Sequence, residues 1–70
     1  PREATLLVVL GRLCRQQQLW GKAQSYLEAA LSVEVSREAH LELAALADEL
    51  GRVDEANRHY RAAAQLSARG

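Results

Sequence analysis

The chain has 70 residues, a formal net charge of +0, 49% hydrophobic residues and one cysteine. Its length allows one small domain, which buries only about 60% of the surface that the unfolded chain exposes. One cysteine excludes an internal disulfide framework, and balanced charge provides no basic field for nucleic acid or an anionic membrane. The longest apolar run, residues 4–10, is too short to span a bilayer. The absence of an initiator methionine suggests a fragment of a longer protein.

The first two predicted helices cover about residues 3–17 and 19–33. The apolar side chains that recur at helical spacing in the first helix are Leu6, Leu7, Leu10, Leu13 and Cys14. Gly11 costs about 1 kcal/mol relative to alanine in a helix, so we expect it to allow close approach of another helix. The first turn contains no Gly or Asn, so Gln18 is expected to adopt the left-handed conformation at a cost of about 1 kcal/mol.

The next two predicted helices cover about residues 37–50 and 53–67. Ser36 is a suitable N-cap for the third helix, because its hydroxyl can accept a hydrogen bond from a free backbone N–H. Gly51 ends that helix, at the position where a left-handed glycine is common. Residues 68–70 are expected to fray.

The second and fourth helices share a pattern of small, large and small residues, 33 residues apart. The matched residues are Ala23, Leu27 and Ala30 in one copy and Ala56, Tyr60 and Ala63 in the other. Short turns make consecutive helices antiparallel. The sequence therefore predicts an all-α fold of two stacked antiparallel helical hairpins, with repeat 1 at about 4–36 and repeat 2 at about 37–68. A symmetric four-helix bundle is the alternative, and the repeat favours a solenoid.

This repeat resembles the tetratricopeptide repeat (TPR), a helix-turn-helix of 34 residues. The signature positions, which the resemblance implies are packed, hold Leu10, Gly11, Ala23, Leu27 and Ala30, and then Leu43, Ala44, Ala56, Tyr60 and Ala63. The chain departs from the family pattern in its first helices, where Cys14 and Ala47 replace a usual aromatic residue and His40 replaces a common tryptophan. The resemblance implies a TPR-like α-α superhelix that acts as a scaffold for protein partners and is not an enzyme.

A closer resemblance is to the C-terminal TPR segment of the HemY family, proteobacterial inner-membrane proteins linked to late haem and porphyrin biosynthesis. It rests on Leu10-Gly11-Arg12-Leu13-Cys14 and on the stretch from Leu19-Trp20-Gly21-Lys22-Ala23 to Ala29. The resemblance implies that this fragment is a soluble part of a membrane protein, on either the periplasmic or the cytoplasmic side, and that it does not itself insert into the membrane.

In TPR stacks the first helix of each hairpin lines a concave groove. The resemblance places in that groove, as candidate partner-binding residues, Arg12, Arg15, Leu41, Glu42, Asp48 and Glu49. The groove is then expected to be basic on one side and acidic on the other. The alternative is that these charges pair with one another or are simply solvated. The Lys and Asn residues with which some TPR proteins bind chaperone tails are absent here.

A haem- or porphyrin-binding domain or an enzyme is the alternative function. Cys14 lies on the apolar face of its helix and is expected to be a core cysteine, while His40 and His59 are too few and too isolated for zinc, which wants three or four ligands. Trp20 is expected to pack across the first turn. The sequence therefore predicts no catalytic residue, metal or cofactor, and its apolar end faces predict possible self-association.

Overall fold

The computed structural model describes residues 2–69, which form four α-helices. The helices are α1 (Arg2–Gln16), α2 (Trp20–Val33), α3 (Arg37–Glu49) and α4 (Val53–Arg69). The predicted boundaries agree with these to within two residues. α4 continues two residues beyond its predicted end, to Arg69, and Gly70 lies outside the described residues. The fraying expected for residues 68–70 stays a prediction.

The four helices form two hairpins that stack through α2 and α3. α1 packs against α2, α3 against α4, and α1 also touches α3. Within residues 2–69, α4 contacts only α3, whereas a closed four-helix bundle would also bring α4 against α1. The dimensions of 32 × 29 × 16 Å describe a flat stack. The predicted all-α fold of two stacked hairpins is therefore confirmed.

Both hairpin turns end the preceding helix with a residue in the left-handed conformation. Gln18 has φ 61°, as predicted from the absence of glycine in that turn, and Gly51 has φ 75°. In each turn two backbone N–H groups donate back to the carbonyls of the last helical turn. These hydrogen bonds are Leu19 to Cys14 at 2.8 Å, Gln18 to Arg15 at 2.9 Å, Arg52 to Ala47 at 2.8 Å and Gly51 to Asp48 at 3.1 Å.

The connection between the hairpins ends at the predicted N-cap. The hydroxyl of Ser36 accepts a hydrogen bond from the backbone N–H of Ala39 at 3.1 Å. This bond satisfies one of the N–H groups that have no partner inside a helix, so it fixes the start of α3. The direction in which α3 leaves the first hairpin is thereby set by a local interaction.

The core lies between α2 and the two helices on either side of it. Ala23, Leu27 and Ala30 are fully buried, as predicted. Leu27 packs against Leu43 and Leu46 of α3 in one cluster, and a second cluster joins Val8, Ala30 and Ala39. α2 is thus the helix that holds the two hairpins together.

Gly11 allows Leu27 to reach this position. A Cβ atom added at Gly11 would lie 2.5 Å from Cγ of Leu27, closer than two carbon atoms can approach. The expectation that another helix comes close at Gly11 is therefore confirmed.

Eight of the ten residues that the resemblance predicts to be packed are buried in the structure, namely Gly11, Ala23, Leu27, Ala30, Leu43, Ala44, Ala56 and Ala63. Leu10 is half-buried. The expectation that Tyr60 is packed is wrong, because its side chain is 42% exposed. The physical reason is that no described helix follows α4 to cover it, whereas α3 covers the equivalent Leu27.

No helix within residues 2–69 has the length and hydropathy needed to cross a membrane.

Candidate functional site

Two arginines of α1 and two glutamates of α3 form a cluster of ion pairs across the hairpin junction. Nε of Arg12 donates to Oε2 of Glu42 at 2.8 Å. Arg15 donates to Oε1 of Glu42 through Nη2 at 3.2 Å and to Oε1 of Glu49 through Nη1 at 2.7 Å. We call these four residues the charge cluster. It links α1 to α3, which otherwise share few contacts.

The charge cluster changes the expected electrostatics of the groove. Burial lowers the pKa of Arg15, but its hydrogen bond to Glu49 and the charge of Glu42 outweigh this effect and raise that pKa above its ordinary value. Because the two arginines are matched by two glutamates, the groove has no separate basic side. The structure shows the alternative arrangement, in which the charges pair with one another.

Asp48 and Leu41, the other two predicted groove residues, face α4. A carboxylate oxygen of Asp48 accepts a hydrogen bond from the hydroxyl of Tyr60 at 2.8 Å, which raises the pKa of the tyrosine. Leu41 is half-buried and lines a hollow between α3 and α4 with Tyr60, Ala63 and Ala64. Of the two acids expected to oppose the arginines, Asp48 and Glu49, only Glu49 binds one.

A shallow cleft lies between α1 and the connection that leads into α3. Its volume is about 320 Å³, and it is lined by Ala4, Thr5, Val8, Val9, Arg12, Glu34, Ser36 and Glu38. We call it the α1 cleft. Val8 and Val9 give it an apolar floor. Arg12 is neutralised by Glu42, whereas neither Glu34 nor Glu38 forms an ion pair with another described residue. The rim of the cleft is therefore acidic.

The two histidines, which the sequence indicated were isolated, lie in contact. Nδ1 of His40 in α3 and Nδ1 of His59 in α4 are 3.0 Å apart, and the ring centroids are 5.2 Å apart. One Nδ1–H must donate the hydrogen bond, and the other Nδ1 must be unprotonated to accept it. At most one of the two rings is therefore charged in this arrangement. Burial and the charge of His59 lower the pKa of His40.

The histidine pair has no further metal ligand around it. Among the described residues, no group of three or more His, Cys, Asp or Glu side chains is placed to hold a metal ion. Cys14 is half-buried and packs against the Leu27 cluster, in agreement with the prediction of a core cysteine. Trp20 is also half-buried against that cluster, so most of its ring has a packing role.

Comparison of the chain with protein-family models, with curated proteins and with solved structures finds no match. Its resemblance to the TPR and HemY families therefore stays a prediction from the sequence.

Proposed function

We propose that the chain is an interaction module that binds a segment of a protein partner in the α1 cleft. The observation that carries this proposal is an apolar floor at Val8 and Val9 beside an acidic rim, at Glu34 and Glu38, that forms no ion pair with the described part of the chain. The cleft is shallow and formed partly by a connection between helices. Such a surface suits a side chain of an extended or helical segment better than a small substrate, which is usually enclosed in a deeper pocket.

The charges around the α1 cleft select the chemistry of the partner. The cations at Arg12 and Arg15 are already matched by Glu42 and Glu49, so they offer little to an acidic segment. The rim acids form no ion pair within residues 2–69, and opposite charge across an interface favours association. The expected ligand is a segment with one apolar side chain for the floor and Lys or Arg on its flanks.

Selection from a displayed library of random peptides tests this proposal and needs no candidate partner. We expect peptides with an apolar anchor and basic flanks, whose titration shifts the amide NMR signals around Val8, Val9, Glu34 and Glu38. The double variant Glu34→Arg/Glu38→Arg should lose binding at least tenfold. Glu28→Arg, which makes the same change on the exposed face of α2, is the matched control. Signal changes confined to other surfaces, or acidic selected peptides, would contradict the proposal.

We propose further that the chain is a TPR segment of a HemY-type inner-membrane protein, linked to haem or porphyrin biosynthesis through protein contacts. The repeated small residues and the Trp20-Gly21-Lys22-Ala23 run support this proposal. Titration with haem and with protoporphyrin separates it from direct cofactor binding. We expect no saturable shift of the Soret band. A saturable shift that disappears in Cys14→Ala or His40→Ala would favour a cofactor-binding domain instead.

A further inference from the structure

The two ends of the hairpin stack present apolar surfaces that no described residue covers. On α1 the head face consists of Leu6, Val9 and Leu13, and the two leucines are 58% and 51% exposed. The tail face is the hollow of about 340 Å³ between α3 and α4, with Leu41, Tyr60, Ala63 and Ala64 as its apolar lining and Arg37 and Ser67 as its polar lining. When the residue numbers of each face are shifted by 33, they fall on one side of the internal junction between the two hairpins.

That internal junction is formed where α3 packs on the first hairpin. The residues of α3 equivalent to Leu6, Val9 and Leu13 are Ala39, Glu42 and Leu46, of which Ala39 and Leu46 are buried at 0% and 1% exposure. The residues equivalent to the tail face are Val8, Leu27, Ala30 and Leu31. Val8, Ala30 and Leu31 pack with Ala39, and Leu27 packs with Leu46. The head and tail faces are therefore the two halves of the same type of junction.

The sizes of the side chains at the two ends are matched to each other. Inside the molecule the small Ala39 packs beside the large Leu31. At the ends the sizes are reversed: the position equivalent to Ala39 is the large Leu6 at the head, and the position equivalent to Leu31 is the small Ala64 at the tail. A leucine from the head face would therefore enter the hollow that Ala64 leaves open. Exchanges that conserve total volume are the ones that packed interfaces tolerate best.

Part of the charge in the internal junction is replaced by apolar residues at the two ends. Inside the molecule Glu42 of α3 binds Arg12 and Arg15 of α1. The residue equivalent to Glu42 at the head is Val9, and the residue equivalent to Arg12 at the tail is Ala45. The ion pair of Glu42 with Arg12 thus becomes an apolar pair between the ends. The residue equivalent to Arg15 at the tail is Asp48, whose carboxylate accepts a hydrogen bond from the hydroxyl of Tyr60. Arg37, which also lines the hollow, is exposed.

We infer that the tail face binds the head face of a second copy of this chain, in the same geometry by which α3 packs on the first hairpin. Because head and tail are different surfaces, the contact is heterologous and can add further copies. The inference goes beyond the proposed function, because its key residues Leu6, Leu13 and Ala64 do not line the α1 cleft.

Complementary blocked variants test this geometry by sedimentation equilibrium at up to about 1 mM, where contacts as weak as millimolar become visible. Leu6→Glu/Leu13→Glu blocks the head, and Ala64→Glu blocks the tail. Each site is exposed, so the helical circular dichroism should be unchanged. We expect each blocked variant alone to be monomeric, and an equimolar mixture to form a dimer that grows no further. The unmodified chain and the control Ser25→Glu should pass beyond the dimer as concentration rises.

Two results would overturn the inference. A tail-blocked variant that dimerises alone would indicate a symmetric contact between two head faces. A strictly monomeric unmodified chain would show that the ends do not bind each other. Val9 belongs both to the head face and to the floor of the α1 cleft, whereas Leu6, Leu13 and Ala64 do not line that cleft. Association is measured without peptide, and peptide binding is measured with the Glu34 and Glu38 variants, so failure of this inference and failure of the proposed function are distinguishable.

Discussion

Leu27 and Tyr60 occupy equivalent positions in the two hairpins and have opposite surroundings. Leu27 is fully buried under α3, whereas Tyr60 is 42% exposed and bonded through its hydroxyl to Asp48. Both residues sit between two small residues of the same helix, so the local pattern does not explain the difference. What differs is the neighbour, because α3 covers Leu27 and no described helix covers Tyr60. In a stack of repeats, the junction between neighbours adds its own term to the stability.

The same contrast extends to the residue beneath each side chain. Under Leu27 the first hairpin has Gly11, and the equivalent residue in the second hairpin is the buried Ala44. The glycine gives up helix stability so that Leu27 can lie deeper and reach α3. Within the described residues, no helix follows α4, so Tyr60 has no further helix to contact. The second hairpin has Ala44 at this position, and alanine is a better helix former than glycine.

Truncation of the equivalent pair is the most severe test of this contrast. Leu27→Ala removes the centre of the core and should cost about 2–5 kcal/mol, enough to unfold much of a chain this small. Tyr60→Ala loses one exposed hydrogen bond and should cost about 1 kcal/mol or less. Thermal unfolding followed by circular dichroism measures both, with Leu27→Val as a milder variant if Leu27→Ala does not fold. Equal losses at the two positions would mean that the junction contributes little.

Substitution of two glycines sharpens the role of close approach. In Gly11→Ala the new methyl group overlaps Leu27, and overpacking of about 1–3 kcal/mol should exceed the gain of about 1 kcal/mol in helix propensity. Gly21→Ala is the matched control, because nothing lies within 4 Å of the added Cβ, and it should stabilise the chain by up to about 1 kcal/mol. Urea unfolding midpoints should therefore move in opposite directions. A stabilised Gly11→Ala variant would show that Leu27 moves aside at little cost.

The sequence predicted the helices and their stacking well because local signals mark them. Gly51 and Ser36 set the limits of α3, and the strain expected at Gln18 is present as a positive φ. The exposure of Tyr60 did not follow from its place in the packing pattern, because burial depends on the next element in space. Periodicity within one helix carries no information on whether that element exists.

Contacts between side chains were harder to predict than the positions of helices. The arginines of α1 and the acids of α3 allowed both pairing and separate charged sides, and only the distances between α1 and α3 decided for pairing. The contact of His40 with His59 was missed, although the two residues lie at similar distances in sequence from the turn at residues 50–52. In an antiparallel hairpin such positions face each other, which is the signal that would have found the pair.

Neutralisation of the charge cluster tests how much of the junction is electrostatic. Glu42 binds both arginines and its side chain is only 14% exposed, so Glu42→Gln should cost about 1 kcal/mol. Glu49 is more exposed and binds one arginine, so Glu49→Gln should cost less than about 0.5 kcal/mol. The two losses should shrink at about 1 M salt, where charges are screened within about 3 Å. Urea unfolding at low and high salt measures them, and a larger loss for Glu49→Gln would contradict this ranking.

The smallest expected effect comes from a polar contact that only the second hairpin has. His40 and His59 are equivalent to Leu7 and Tyr26 of the first hairpin, and histidine alone among these changes charge near neutral pH. Because the pKa of His40 is lowered in the folded chain, the unfolded chain binds more protons once the pH falls below about 6.5. The contribution of His40 to the free energy of unfolding is therefore fully present at pH 7.5, and it should decrease as the pH falls towards 5.5.

Replacing the two histidines with the residues at the equivalent positions of the first hairpin separates their pH effect from that of the other titrating groups. The double variant His40→Leu/His59→Tyr replaces the two rings with the residues found at the equivalent positions, and it should unfold at urea midpoints that differ less between pH 7.5 and pH 5.5. The unmodified chain, measured at the same ionic strength, should lose stability over this interval because doubly protonated rings cannot keep the Nδ1 to Nδ1 hydrogen bond of 3.0 Å. An unchanged pH dependence in the double variant would assign the loss to the carboxylates, and a gain in stability on acidification would contradict the direction of the His40 pKa shift.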